Sequence, residues 1–341
     1  MKRRLLDWLA CPACHGALAL TRALPEAGDI VEGELACSGC AARYPITRGI
    51  PRLLPKALAE GAVATARRFG YEWTRFSEIR PEYKEQMLGW IAPVGRDEFV
   101  GRRVLDAGCG KGRHLRLASA FGAKDVIGID LGPAVDAAVE NTADLDNVHV
   151  VQGDLTRPPF RPASMDLIYS IGVLHHLPEP EAGFRALAPL LAPSGRFVAW
   201  LYAREGNGWV LALVDPARRL TSRLPLPLVS AFAWILTVPL WIALRLLYAP
   251  ARGRSWLRRL LPYESYLSDL VPFPFREVHS IAFDQLLAPV AHYMPREHVE
   301  RCFAEGGLTL LSLRWHHANS WAASGTRSEA RSWRRSSTGR S

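Results

Sequence analysis

Residues 104–114 read VLDAGCGKGRH, and this stretch decides the fold. An apolar strand-like run ends in an acid, Asp106. Three alternating glycines follow, Gly108, Gly110 and Gly112, and then a helix start. A glycine turn between strand and helix lets a small ligand come up against backbone rather than side chains. Outward from it, strand and helix signals alternate: RHLRLASAFG, DVIGIDL, AVDAAVENTA, VHVVQGD, DLIYSIG, EAGFRALAPLLA and GRFVAWLYA. Such alternation argues an α/β fold, a parallel sheet with helices on both faces.

Two kinds of ligand compete for the turn. A dinucleotide fingerprint is G-x-G-x-x-G, with the pyrophosphate at the helix N-terminus. Here the third glycine falls one residue early, and Asp106 stands where a pyrophosphate would be repelled. S-adenosylmethionine carries an ammonium and a sulfonium and no phosphate, so the same acid favours it. Spacing and charge therefore favour methyl transfer over hydride transfer. Two further acids keep register. Asp130 ends the next strand, twenty residues after Gly110, placed for the ribose hydroxyls, with Leu131 beside it. Asp154 ends VHVVQGDL, where its carboxylate can accept from the adenine amino group while Leu155 offers a backbone N–H. Ser170 on the fourth strand completes the expected cofactor set. Open α/β sheets bind ligands at this edge, beyond the strand C-termini.

The loop after the fourth strand carries His175 and His176. Methyl transfer from a sulfonium is mostly positioning, with one general base useful for a hydroxyl or carbon acceptor. The pair reads either as that base or as packing and capping. His279, His292 and Tyr293 are weaker candidates. No Asn/Asp-Pro-Pro-aromatic motif follows the strand, which disfavours exocyclic amines of bases or glutamine. No Pro-Cys pair sits there, which disfavours cytosine C5 chemistry.

At the N-terminus, Cys11-Pro-Ala-Cys14 and Cys37-Ser-Gly-Cys40 are separated by twenty-two residues. Each C-x2-C turn puts two thiolates on one knuckle, and two knuckles close a tetrahedral S4 site suited to structural Zn²⁺. The start MKRRLLDWLA fails as a signal peptide because Asp7 breaks its apolar run. Paired thiols of this kind place the protein in the cytoplasm.

The glycine turn and its three acids resemble the class I S-adenosylmethionine-dependent methyltransferases, of the type 11-like kind, over about 100–203 and 286–315. The segment CPACHGAL…LACSGCAARYPITRGIPRLLP resembles the small zinc-ribbon proteins that partner tRNA and protein methyltransferases. FGYEW at 69–73 and HSIAFDQLLAPVAHYMPREHVERCF at 279–303 are similar to a narrower bacterial group with an N-terminal ribbon. The resemblance implies a Rossmann-like class I sheet with an N-terminal zinc ribbon and a helical apolar insert. The expected organisation is a ribbon over 1–55, a helical aromatic cap over 56–100, the cofactor half over 101–203, the insert over 204–285, a returning helix and strand over 286–317, and a disordered basic tail over 318–341.

The insert holds LPLPLVSAFAWILTVPLWIAL, twenty-one uncharged residues between Arg223 and Arg245. About 20 apolar residues can cross a bilayer. A single crossing, however, would leave two parts of one sheet on opposite sides, and no second span exists. Pro239 is expected to split the run into two pieces, a helical hairpin or broken helix lying in the interface. The net charge of +9 is concentrated nearby. Residues 204–262 hold nine arginines against Glu205 and Asp215, the tail over 318–341 adds a net +4, and the remainder sums to −2. Arg218, Arg219, Arg223, Arg245, Arg252, Arg254, Arg258 and Arg259 are expected to meet anionic headgroups, with Trp234, Trp241, Tyr248 and Trp256 as anchors. The competing reading is a lid or dimer interface whose apolar face is buried in protein.

The expected function is methylation of a small, lipidic or lipid-linked acceptor, with the protein peripheral on the inner face of the cytoplasmic membrane. The alternative is an rRNA or tRNA methyltransferase whose ribbon reads RNA. Residues 1–60 carry eight basic and six acidic side chains, too even a balance for a strong phosphate footprint.

Overall fold

A computed structural model describes residues 1–252 and 254–327. Eleven strands form one sheet, in the order β1-β2-β3-β4-β7-β6-β5-β8-β9-β11-β10. Its centre is parallel: β5 (Arg103–Ala107), β6 (Asp125–Asp130), β7 (Val148–Gly153), β8 (Met165–Ile171) and β9 (Leu191–Tyr202). β5 to β8 are largely buried, with apolar centres, as strands covered on both faces must be. Helices α3 (Arg113–Ala120), α4 (Ala134–Asn141) and α5 (Pro180–Leu187) make the crossovers. The fold is the α/β sheet that the glycine turn and its flanks imply.

The four cysteines lie on a small antiparallel sheet of β1 (Leu18–Leu24), β2 (Glu32–Cys37), β3 (Arg43–Thr47) and β4 (Ile50–Leu53). This sheet is continuous with the larger one. β4 pairs parallel with β7, Arg52 opposite Gln152 and Leu53 opposite Gly153. The two regions also share one apolar core, in which Leu5, Leu9, Leu35 and Leu53 pack together with Ile127, Val151, Phe160 and Met165.

At the other edge, α12 (Arg296–Glu305) leads into the hairpin β10 (Leu308–His316) and β11 (Ser320–Arg327). β11 pairs antiparallel with β9, Ser320 opposite Tyr202. The expected disorder from 318 onward is therefore corrected as far as Arg327. Trp321, Ala322 and Ala323 are buried on β11, a short apolar run without alternation that the Ser/Arg-rich residues beyond masked. The rest of the expected tail lies outside the described residues.

The cap consists of α1 (Glu60–Arg75) and α2 (Tyr83–Ile91). Between β9 and α12 the insert folds as a π-helical turn (Val210–Val214), α6 (Asp215–Thr221), α7 (Leu226–Ala243), a second π turn (Leu244–Tyr248), α8 (Ala249–Ala251), α9 (Ser255–Arg258), α10 (Glu264–Leu270) and α11 (Phe275–Leu287). The expected break at Pro239 does not occur. α7 runs through Pro239 and on into α8, twenty-six residues long and apolar enough to cross a membrane. The carbonyl that a proline at 239 leaves without its usual N–H belongs to Ile235, which is 62% exposed, so the loss falls on the outer face.

That helix buries a narrow stripe, Val229, Ala233 and Thr237, and packs on α11. Its outer face is bare: Leu228 is 59% exposed and Leu246 69%. Arg219, Arg223, Arg252, Arg254, Arg258 and Arg259 are exposed around it. Two expected surface arginines are not. Arg218 is buried and donates to the Gln285 carbonyl and the Tyr293 hydroxyl, while Arg245 donates to the Phe273 carbonyl and stacks on Trp241. Tyr248 is buried with its hydroxyl on the Pro262 carbonyl, so of the four expected anchors Trp234 and Trp256 are the exposed ones.

Candidate active site

A cavity of about 380 Å³ opens above the C-terminal ends of β5, β6, β7 and β8. Its cofactor half is built by the glycine turn. Gly108 sits at φ +100°, and a Cβ there would lie 2.3 Å from Val173 Cγ2. Gly110, at φ +49°, lies under the Trp73 ring, which a Cβ would approach to 3.2 Å. Both positions need glycine for backbone conformation and for closeness.

Asp106 is fully buried beside the Tyr169 hydroxyl and, unlike Asp130 and Asp154, does not line the cavity. Burial pushes its carboxyl up to about 8. Such a group is costly unless a cation meets it. Asp130 accepts from the Gly110 N–H at 3.0 Å and the Gly132 N–H at 2.8 Å, which fixes its carboxylate at the cavity wall. Asp154 is held by Thr156 through its backbone N–H and hydroxyl, both at 2.8 Å. Leu131 and Leu155 line the cavity beside these acids. Ser170 does not line it: fully buried, it donates to the Ala107 carbonyl at 2.8 Å and ties β8 to the end of β5. The glycine cradle and the two acids of the cavity wall, Asp130 and Asp154, fit S-adenosylmethionine. Asp130 and Asp154 would hold it, and it would supply an electrophilic methyl group.

The histidine pair separates. His175 is fully buried, contributes nothing to the cavity wall, and lies between His176 and the Tyr202 ring at centroid distances of 4.3 and 4.0 Å. Burial holds it well below the usual imidazole range, and its ring nitrogens have no partner. Its role is packing. His176 does face the cavity, with Nδ1 2.6 Å from the Val290 carbonyl. A carbonyl only accepts, so Nδ1 carries the proton and Nε2 keeps the free lone pair. Burial lowers this imidazole to about 4, making it a weak base.

Tyr293 apart, the acceptor half has walls that the sequence pattern did not single out as chemistry. Glu72 of α1 is fully buried. Oε1 accepts from the Ser280 hydroxyl at 2.9 Å, and Oε2 has no partner. Asp284 of α11 faces the same space, as do Tyr202, Tyr266 and Tyr293. Burial, and next the charge of Asp284, push Glu72 well above the carboxylate range; burial pushes Asp284 up to about 6. Lys111 is tied to the Phe76 carbonyl and the Tyr83 hydroxyl, and Arg113 lies among the rings of Trp73, Tyr83 and Trp90. The stretches FGYEW and 279–303 carried the signal by position, since they hold Glu72, Trp73, Asp284 and Tyr293. Of the weaker candidates, His279 instead contacts the Ser230 carbonyl, whereas His292 has a buried Nε2 without a partner.

At the ribbon, the four cysteine sulfurs lie within 4.8 Å of one another, with Cys11–Cys40 at 3.7 Å and Cys14–Cys37 at 3.4 Å. A tetrahedron with Zn–S bonds of ~2.3 Å has edges near ~3.8 Å. The Ala13 and Gly39 N–H groups point at the Cys11 and Cys37 sulfurs, as thiolates require. Gly16 is pressed against the site, where a Cβ would lie 3.1 Å from the Cys37 sulfur. The donors fit a closed zinc site.

Comparison with known proteins follows the same division. Residues 105–199 match the methyltransferase domain family, and residues 2–49 match the Trm112p-like protein family. The ubiquinone biosynthesis O-methyltransferase of Pseudomonas putida is 30% identical over 147 residues, 42% of this chain and 62% of that one. The tRNA U34 carboxymethyltransferase of Methylococcus capsulatus is 36% identical over 135 residues, 38% of this chain and 40% of that one. The chain thus spans less than two thirds of the length of these relatives. Among solved structures, a complex containing the Haloferax volcanii Trm112 methyltransferase activator aligns at TM-score 0.44 and 14% identity, covering 77% of this chain and 94% of that one. Magnesium protoporphyrin IX methyltransferase from Synechocystis aligns at TM-score 0.43 and 14% identity, covering 76% and 93%. Residues 105–199 form a methyltransferase domain and residues 2–49 a Trm112p-like region, joined here in one chain.

Proposed function

We propose that the whole chain is an S-adenosylmethionine-dependent methyltransferase whose acceptor is a small lipidic or lipid-linked molecule, taken up at an anionic membrane face in the cytoplasm. The observation that carries this reading is the insert. Its inner side walls the cavity through Val210, Val214, Leu267 and Ile281, and its outer side presents bare apolar side chains ringed by exposed arginines. Large exposed apolar faces are rare on proteins that meet only water. Arginines near an anionic surface contribute about 1 kcal/mol each. The P. putida relative, an enzyme of ubiquinone biosynthesis by name, is consistent with an apolar acceptor.

The M. capsulatus relative keeps an RNA acceptor as the second reading. Methyl-labelled S-adenosylmethionine, offered to the purified protein with membrane lipid extract and total RNA side by side, separates the two. Label is expected in the lipid fraction; label confined to RNA refutes the lipid reading. The L228S/I235S/L246S triple variant should lose most of its co-sedimentation with anionic vesicles. Undiminished sedimentation would show that the helix face does not meet the bilayer.

A further inference from the structure

The acceptor half of the cavity holds two acids, Asp284 and Glu72, with no ion-pair partner among the described residues. Asp284 makes no hydrogen bond or ion pair with any described residue, and Glu72 Oε2 is buried and unpartnered. Tyr202, Tyr266 and Tyr293 line the cavity together with Asp284. Tyr202 and Tyr293 are stacked at 5.5 Å, and Gln285 donates to the Tyr202 hydroxyl at 3.0 Å, so this wall is rigid.

The nearby protein cations are otherwise engaged. Lys111 is on the Phe76 carbonyl, Arg113 lies among rings, and Arg218 is on the Gln285 carbonyl and Tyr293. None comes within ion-pair distance of Glu72 or Asp284 among the described residues. Half-buried Asp284 and buried Glu72, the latter held toward its neutral form, share a cavity with ring surfaces and form a receptor for one positive charge: Asp284 supplies the charge, Glu72 a further acceptor, and the rings their negative faces.

We infer that the acceptor presents a protonated amine, received by Asp284 and Glu72 inside the Tyr202–Tyr266–Tyr293 wall. This rests on the methyltransferase reading above and narrows its acceptor to an amine-bearing amphiphile.

Isothermal titration of the full chain with octylamine, octanol and octanoate, each with and without S-adenosylhomocysteine, reads the site directly. Octylamine is expected to bind about tenfold tighter than octanol, with octanoate weakest, a gap of the size one charge-assisted contact supplies. Asp284→Asn, and separately Glu72→Gln, should bring amine and alcohol to within about twofold of each other. Unchanged S-adenosylhomocysteine affinity certifies the fold of each variant; should one variant unfold, the other decides. Equal affinity of wild-type protein for amine and alcohol overturns the inference, as does no octylamine binding. An amine preference that survives in a folded variant overturns it too. Failure of S-adenosylhomocysteine alone to bind counts against the methyltransferase reading instead, since the amine titration without nucleoside stands by itself.

Discussion

Arg68 on α1 is the clasp between cap and insert. Its guanidinium donates to the Leu287 carbonyl at 2.7 Å, the Thr221 carbonyl at 3.0 Å and the Leu224 carbonyl at 3.3 Å. The first two close α11 and α6, so one side chain satisfies the C-terminal carbonyls of two helices and meets their negative dipole ends. The site is partly buried, and water can replace some of what is lost. Three bonds at about 0.5–1.5 kcal/mol net each give roughly 2–3 kcal/mol for Arg68→Ala. Through the tenfold per 1.4 kcal/mol relation, that is about a 30- to 100-fold rise in local opening. Hydrogen exchange by mass spectrometry tests this. Protection should fall by that factor in Asp215–Thr221 and Phe275–Leu287 and stay constant in β1–β4. Unchanged protection in α6 and α11 would refute the clasp, and so would an equal loss throughout the chain.

Three further outcomes are expected. Elemental analysis should find one zinc per chain, absent in Cys37→Ser, and stripping the metal should raise exchange first in β1–β4; metal-free protein with native exchange there would count against a structural site. Gly108→Ala should cost about 2–4 kcal/mol in urea unfolding, from positive-φ strain plus overpacking against Val173, and abolish S-adenosylhomocysteine binding; calorimetry at native stability would expose an error. For Asp106, the unfolded chain releases its proton near ~3.9 whereas the ligand-free fold holds it to about 8. Its contribution to stability therefore declines as pH rises across that window, and Asp106→Asn should melt higher than wild type at pH 8–9 but not at pH 4. Parallel melting curves at both pH values would contradict this.

The cofactor half was legible because its chemistry is local. Asp106, Gly108, Gly110 and Gly112 lie within seven residues, and Asp130 and Asp154 follow at strand ends that apolar runs announce. The thiolate pairs were legible for the same reason. Ser170 was misplaced because a strand residue one position from the cavity faces the opposite side of the pleat. The acceptor half was not legible, since Glu72 and Asp284 stand 212 positions apart and meet only when the insert folds back over α1. Likewise, nothing local distinguishes buried Arg218 from exposed Arg219; tertiary packing makes the choice.

The pairing of β4 with β7 has a mechanical consequence. Leu53 is registered on Gly153, the residue before Asp154, so the zinc-bearing sheet splints the strand that delivers an acid to the cofactor. On the same side, Arg52 bonds Gln152 at 3.1 Å and Asp136 at 2.6 Å, riveting β4 to the helix behind Asp130. To water there is no boundary at residue 55: cutting the chain there would strip β7 of a neighbour and open the core shared by Leu9 and Phe160. The metal site thus becomes a tensioner for the chemistry, and loss of zinc, after loosening β1–β4, would pass on as slack around Asp154.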